Sequence, residues 1–334
     1  MSDRKQVHYT YVASENLRLL EQEFAAGIDA QLPDWESTQA PVVTRAGAVN
    51  VTFFIYRRAH VMMSHGLADK NYLTRRDPQR GFEINKYRTV CVPGDWLKRK
   101  LLTTRGVELS ANQIKVVGWP RIDTLLAAQR KYLSERTLSE KLGKLSPFRK
   151  IKVLWAPTHN AESKAGVISS YPGILHYEDR LRTLFDYDVS LHPNLRESKK
   201  PTFEKLIEAD VVIADRGTLV YEAWALGKPV IFPSWLIGEG NLYDDLGSAE
   251  SHIFHERLGL HANSFDEMVD MIRQVSCPDA RTLQFMESYL PRRTLGSSYK
   301  LIAEAVDEVW ESGNLRIAKK VLAPSRGTPP LVAV

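Results

Sequence analysis

Short apolar runs alternate with amphipathic stretches along almost the whole chain. Strands buried on both faces read as near-continuous apolar runs, and the helices between them carry a 3.6-residue period. The alternation therefore predicts an α/β fold of repeated βαβ units around parallel sheets. In the first half, strands are expected at QVHYTYVA (6–13), VNVTFFIY (49–56), AHVMMS (59–64), TVCVP (89–93) and IKVVGW (114–119), and helices over 14–26, 94–105 and 121–133. The stretch 28–43 reads as irregular. The second half restarts with strands at IKVLWAPT (151–158), YDVSLHPN (187–194), ADVVIAD (209–215) and KPVIFPSW (228–235). Helices follow at 201–209 and 218–227. Near the end, 264–275 opens with Ser264 and Glu267 at capping-box spacing, and 298–313 keeps a helical apolar period until Gly313.

Between the halves, SEKLGKLSPFRK (139–150) is polar and carries Gly and Pro, which marks a connection. We expect one Rossmann-like unit over 1–140, a linker at 141–150, a second unit over 151–321 and a flexible tail at 322–334. A chain of 334 residues is long enough for two such domains sharing a cleft.

The composition, 43% apolar and 25% charged, is that of an ordinary soluble protein, and no run approaches the roughly 20 apolar residues that cross a bilayer. The start, MSDRKQVHYTYVASENL, has no apolar core of a signal peptide, so a cytoplasmic location is expected. Cys91 and Cys277 stand far apart in apolar company and read as reduced core thiols. The net charge of +5 suits an anionic substrate or membrane surface. The basic residues lack the aromatic interleaving and zinc-finger spacing of nucleic-acid readers, so no nucleic-acid partner is expected.

In an open parallel sheet, ligands sit beyond the carboxyl ends of the strands. Those positions here hold His65-Gly66, Gly118-Trp119-Pro120-Arg121, Pro157-Thr158-His159, His192-Pro193-Asn194 and Asp215-Arg216-Gly217-Thr218. The strongest single stretch is ADVVIADRGTLVYEAWALGKPVIFPSW. A buried strand there feeds a tight turn into a helix, so the amides of Gly217, Thr218 and Leu219 are expected to cradle a phosphate. Glu222, one turn on, is placed to accept from ribose hydroxyls. Arg216 is a phosphate candidate, and Asp215 is expected to order the turn by accepting backbone amides. His192 precedes a proline, which keeps its backbone extended and its imidazole at a strand end, able to donate to a phosphate oxygen.

HGLADK, VVGWPRIDTLL, LWAPTHN, SLHPN and ADVVIADRGTLVYEAWALGKPVIF, in this order over about residues 60 to 235, resemble the CDP-glycerol glycerophosphotransferase family of teichoic acid primases and polymerases. The resemblance implies a GT-B arrangement, two Rossmann-type domains with parallel sheets facing a central cleft. The first would serve the acceptor and the second the nucleotide donor. It implies transfer of glycerol phosphate from CDP-glycerol to a hydroxyl on a membrane-linked acceptor. The family's HG…K histidine corresponds to His65 and its histidine before proline to His192. On that basis His65 would take the acceptor proton, Gly66 would let the backbone turn close to ligand, and Lys70 would reach a phosphate. His192 and the 217–219 amides would stabilise charge on the pyrophosphate, with Thr158 beside them on the donor side.

The chain departs from the family where DYSS is usual and Asp215-Arg216-Gly217-Thr218 stands here, and where an aspartate is common and Glu222 stands here. The Gly-Thr turn and EAWALGKPV look equally like nucleotide-sugar glycosyltransferases and UDP-N-acetylglucosamine 2-epimerases, which also share GxPxID and HPN. Donors open at this point are therefore CDP-glycerol, a related CDP-alditol, or a UDP-, GDP- or CMP-sugar. No DxD-like motif sits at a strand end, so no cofactor and no obligatory metal are expected. An acceptor carried on lipid would bring the protein to the inner face of the plasma membrane as a peripheral enzyme. Arg57, Arg58, Lys98, Arg99 and Lys100 would make that contact, with Trp96, Leu97, Leu101 and Leu102 either dipping into the interface or packing into the core.

Overall fold

The computed structural model describes residues 4–12, 15–41, 43–69, 71–78, 81–141, 149–158, 162–163, 166–167, 169–191, 200–237 and 246–315. Its first half runs β1 (Gln6–Tyr11), α1 (Glu15–Asp29), β2 (Glu36–Pro41), β3 (Val49–Thr52), β4 (Val61–Met63), a small hairpin of β5 (Arg76–Asp77) and β6 (Gly81–Phe82), β7 (Thr89–Val92), α2 (Asp95–Thr103), β8 (Ile114–Val116) and α3 (Pro120–Lys141). The six longer strands form one parallel sheet in the order β2-β1-β3-β4-β7-β8.

The second half runs β9 (Lys152–Ala156), a short hairpin of β10 (Glu162–Ser163) and β11 (Gly166–Val167), α4 (Glu178–Leu184), β12 (Asp186–Val189), α5 (Thr202–Glu208), β13 (Val211–Ala214), α6 (Thr218–Ala225), β14 (Val230–Pro233), α7 (Ala249–His255), β15 (Leu260–Ala262), α8 (Phe265–Gln274), α9 (Ala280–Tyr289) and α10 (Ser298–Glu311). Its parallel sheet is ordered β12-β9-β13-β14-β15.

Both sheets share one logic. In each, the first strand pairs with the second on one side and the third on the other, so the chain winds outward in both directions. That reversal opens a crevice at the carboxyl ends of β1 and β3 in one sheet and of β9 and β13 in the other, where such sheets bind ligands. One apolar cluster joins them. It runs from Val7, Val51 and Trp119 through Tyr289 and Tyr221 to Leu154, Val212 and Phe232. The last helix, α10, lies against α1, β3, β4 and β7 of the first sheet, burying Ile302, Val306 and Val309.

Several boundaries move for physical reasons. Residues 36–41 form a strand where an irregular segment is expected from sequence, because this edge strand only half-buries alternate side chains and its composition is polar. The run 49–56 stops pairing at Thr52, since the chain turns there and the Tyr87 hydroxyl holds the Ile55 and Arg57 carbonyls of the turn. Ser264 caps α8 by accepting from the Glu267 amide at 3.2 Å, while the Glu267 carboxylate takes the Asn263 amide in place of the cap residue's own. Cys91 is buried as expected, whereas Cys277 is exposed on the connection between α8 and α9. On α2, Leu97 and Leu101 are buried and Trp96 packs on Tyr289, so these three belong to the core, whereas Leu102 is exposed. The expected linker begins where α3 ends, at Lys141; residues 142–148 and the expected tail at 322–334 lie outside the described residues. Among the described residues no helix is long and apolar enough to cross a membrane.

Candidate functional site

The second sheet's crevice is organised by Asp215, at the end of β13. Its Oδ2 accepts from the Thr158 amide at 2.9 Å, the Ser170 amide at 3.0 Å and the Ser169 hydroxyl at 3.0 Å. These bonds tie the loop after β9 to the turn after β13 across the switch point. Burial pushes the Asp215 carboxyl up, and the three donors pull it back. Thr158 thus contributes a backbone amide to the scaffold, while its carbonyl accepts from Ser169.

Gly217 follows with φ 104° and ψ −175°, a conformation essentially reserved for glycine. A side chain there would meet nothing within 4 Å. Glycine is therefore required by the backbone turn into α6, on a side that is open. Thr218 and Leu219 occupy the first turn of α6, whose amides have no carbonyl within the helix to reach. The Gly217 amide, expected to face a phosphate, instead donates to the Glu250 carboxylate at 3.0 Å. Arg216 is half-buried, and its Nε has no hydrogen-bond partner among the described residues.

At the first sheet's crevice, His65 follows β4. Its ring Nδ1 lies 3.1 Å from the Phe53 carbonyl, which can only accept, so Nδ1 carries the proton and Nε2 the lone pair. The Phe54 ring stacks on the imidazole at 5.7 Å. Glu21 of α1 sits behind it, with Oε1 3.6 Å from Nδ1 and Oε2 accepting the Val12 amide at 2.8 Å. The Glu21 side chain is fully buried, and burial pushes its carboxyl up to about 7 against the pull of the Val12 amide and Arg57. Burial lowers the His65 imidazole, partly offset by the Phe53 carbonyl. A neutral imidazole anchored at one nitrogen, with no partner at the other among the described residues, is the form a general base needs.

The two crevices touch. The Thr218 hydroxyl accepts from the Leu67 amide at 3.2 Å and the Ala68 amide at 3.4 Å, bringing the loop after His65 onto the start of α6. Gly66 faces the same hydroxyl; a Cβ there would stand 3.9 Å from it, an ordinary contact. The Tyr289 hydroxyl donates to the Leu67 carbonyl at 2.6 Å. Asp69 accepts from Lys100 at 2.5 Å and from the Ala249 amide at 3.1 Å. Glu222 is buried, with Oε1 2.8 Å from Arg121 Nε across the junction. That approach lacks hydrogen-bond alignment, so it is an ion pair held by charge. Burial raises the Glu222 carboxyl and Arg121 opposes the rise.

Among the expected site residues, the structure brings together Gly66, Thr218, Glu222, Gly217 and Asp215 around this junction, with His65 at its edge. Lys70 and His192 lie outside the described residues. Sequence reasoning missed Glu21, Glu250 and Asp69, and placed Arg121 at a strand end without giving it a role. Glu21 carried a signal, because Phe24, Ala25 and Ile28 put it on the buried stripe of α1.

Neither a protein-family model nor a curated protein matches the chain. Solved structures do match its fold. The wall teichoic acid polymerase TagF, as a histidine-to-alanine variant, superposes with a TM-score of 0.62 at 11% identity over 94% of this chain and 91% of that one. TagF as a histidine-to-asparagine variant soaked with CDPG gives 0.57 at 13% identity over 94% and 90%. A putative UDP-N-acetylglucosamine 2-epimerase from Listeria monocytogenes gives 0.52 at 11% identity over 96% and 100%. The chain therefore has the two-sheet α/β fold of these enzymes, the GT-B arrangement expected from its sequence motifs.

Proposed function

We propose that this protein transfers glycerol phosphate, or a related alditol phosphate, from a CDP-activated donor to a hydroxyl of a cell-surface polymer or lipid-linked acceptor. The observation that carries the proposal is the junction at Thr218, whose hydroxyl holds the Leu67 amide at 3.2 Å. It brings a histidine-bearing loop from one switch point onto the anion-seeking helix start of the other. The fold shared with TagF, including the form soaked with CDPG, supports the same donor class.

In this reading residues 1–140 form the acceptor side and 151–321 the donor side, joined at 141–150, with α10 of the second unit packing back onto the first sheet. His65 Nε2 takes the proton of the acceptor hydroxyl as its oxygen bonds the donor's distal phosphorus. The bond from that phosphorus to the bridging oxygen breaks, and CMP leaves with it. The Thr218 and Leu219 amides and Arg216 receive the developing negative charge, at the start of α6 where the helix dipole favours it. His192 and Lys70 join them by their place in the SLHPN and HGLADK motifs. Glu222, paired with Arg121, lines the ribose side. No step calls for a metal ion. Contact with anionic lipid on the cytoplasmic face rests on Arg58 and Lys98, since Arg57 faces buried Glu21, Arg99 bonds Ser288 and Lys100 bonds Asp69.

The test is to identify the nucleotide released from a panel of activated donors given a lipid-extract acceptor. CMP from CDP-glycerol, undiminished by EDTA, is expected. UDP or GDP from a sugar donor would replace this reading with glycosyl transfer, and CMP from a CMP-sugar would move it to another donor class.

A further inference from the structure

His65 does not stand alone at the first switch point. Behind it, α1 delivers a carboxylate into a wall of apolar side chains, on the helical stripe that also carries Phe24, Ala25 and Ile28. A carboxylate is costly to bury without a partner. One of its oxygens is held by the Val12 amide at the end of β1, and the other lies 3.6 Å from His65 Nδ1. The imidazole in turn is fixed by the Phe53 carbonyl at the end of β3. Three strand ends thus converge on one ring and one acid.

We propose that Glu21 is a positioning residue of His65 that acts through charge: the Phe53 carbonyl fixes the ring at Nδ1, and Glu21 Oε1, 3.6 Å from that nitrogen without a hydrogen bond to it, balances the positive charge that appears when Nε2 takes the proton. This rests on His65 being the base of the transfer. No oxidant, metal or extra proton is involved. The acceptor proton moves to Nε2, the imidazolium forms beside an ionised Glu21, and the proton leaves to solvent after CMP departs. Charged groups facing the pair among the described residues are Glu21 itself and Arg57, from the β3–β4 connection. Since the burial-raised Glu21 carboxyl ionises at about 7, the base gains its counter-charge only as pH rises through that value.

The test compares wild type, Glu21→Gln, Glu21→Asp and His65→Ala. Glu21→Gln keeps the Val12 bond and the volume but removes the charge. It is expected to lower kcat by about 10²-fold with KM for the donor nearly unchanged, and to abolish the rise of kcat through about pH 7. Glu21→Asp should recover part of the rate and the pH limb. In ¹⁵N-labelled wild-type protein the His65 ring should be the Nδ1–H tautomer, with its shifts inflecting near pH 7, and the inflection should vanish in Glu21→Gln. An Nε2–H tautomer, or an unchanged inflection, would overturn the proposal without any turnover assay. Loss of activity in His65→Ala together with a wild-type rate and pH profile in Glu21→Gln would also overturn it. Full activity in His65→Ala would instead remove the base assignment on which it rests.

Discussion

Glu250 accepts the backbone amide of Gly217 at 3.0 Å, which sets one of the chain's own carboxylates at the entrance of α6. The start of a helix favours negative charge, so a phosphate bound there, as proposed, would meet a like charge already in place. The same carboxylate helps hold the Tyr221 hydroxyl, buried beside it, well above its ordinary value, after burial itself.

Glu250→Gln keeps an oxygen for the Gly217 amide and removes the charge. CDP and CDP-glycerol should then bind about 2–5-fold more tightly, the size of one charge near a helix start. Calorimetric titration of both variants measures it. Unchanged or weaker binding would mean that Glu250 shapes the turn and does not compete with the ligand.

Gly217 and Gly66 should respond differently to alanine. Gly217→Ala forces a side chain into a glycine-only conformation with no neighbour to relieve it, at a cost of about 1–3 kcal/mol. Gly66 has no such backbone demand, so Gly66→Ala should leave the urea midpoint close to wild type. Equal losses of stability in the two variants would contradict the backbone argument.

The Glu21 carboxyl sets a pH dependence of stability. Its folded value of about 7 lies above the unfolded value near 4.5, so the folded state holds the proton more tightly. Stability from this group is full below about 4.5 and is lost as pH rises through 7. Glu21→Gln removes that loss. Relative to wild type it should gain about 2–3 kcal/mol between pH 5 and pH 8, read from urea unfolding at both pH values. A difference that does not change with pH would place the Glu21 carboxyl in its ordinary range.

How much of this could be read from sequence depended on pattern. Deep strands such as Val211–Ala214 and helices with a sharp start, such as Thr218–Ala225, announce themselves through unbroken apolar runs and a glycine turn. The edge strand Glu36–Pro41 does not, because half its residues face water and its period is written in Ser, Thr and Gln. The site divides the same way. Strand-end residues His65, Asp215 and Gly217 follow from the rule that ligands bind at carboxyl ends. Glu250 and Asp69 matter through partners far away in sequence, Gly217 for one and Lys100 and Ala249 for the other. Nothing local distinguishes them from surface acids.

Lys100 illustrates the distinction. Sequence puts it with Lys98 and Arg99 in one basic run, yet its ammonium bonds buried Asp69 and Asn71 and lies 5.4 Å over the Trp96 ring. Lys100→Gln should cost about 3 kcal/mol by stranding Asp69, whereas Lys98→Gln should leave stability unchanged. Sedimentation with anionic liposomes should weaken with salt and with Arg58→Gln and Lys98→Gln combined. A protein that stays in the supernatant at low salt would point to a soluble acceptor.

The most direct measurement is CMP release from CDP-glycerol by wild type and by folded His65→Ala in the presence of a polyol or lipid-linked acceptor. Wild type is expected to release CMP in step with transfer of glycerol phosphate to the acceptor, and His65→Ala to lose about 10²–10⁴-fold in kcat while still binding CDP. CMP release by His65→Ala at the wild-type rate, or none by wild type from any CDP-alditol, would contradict it.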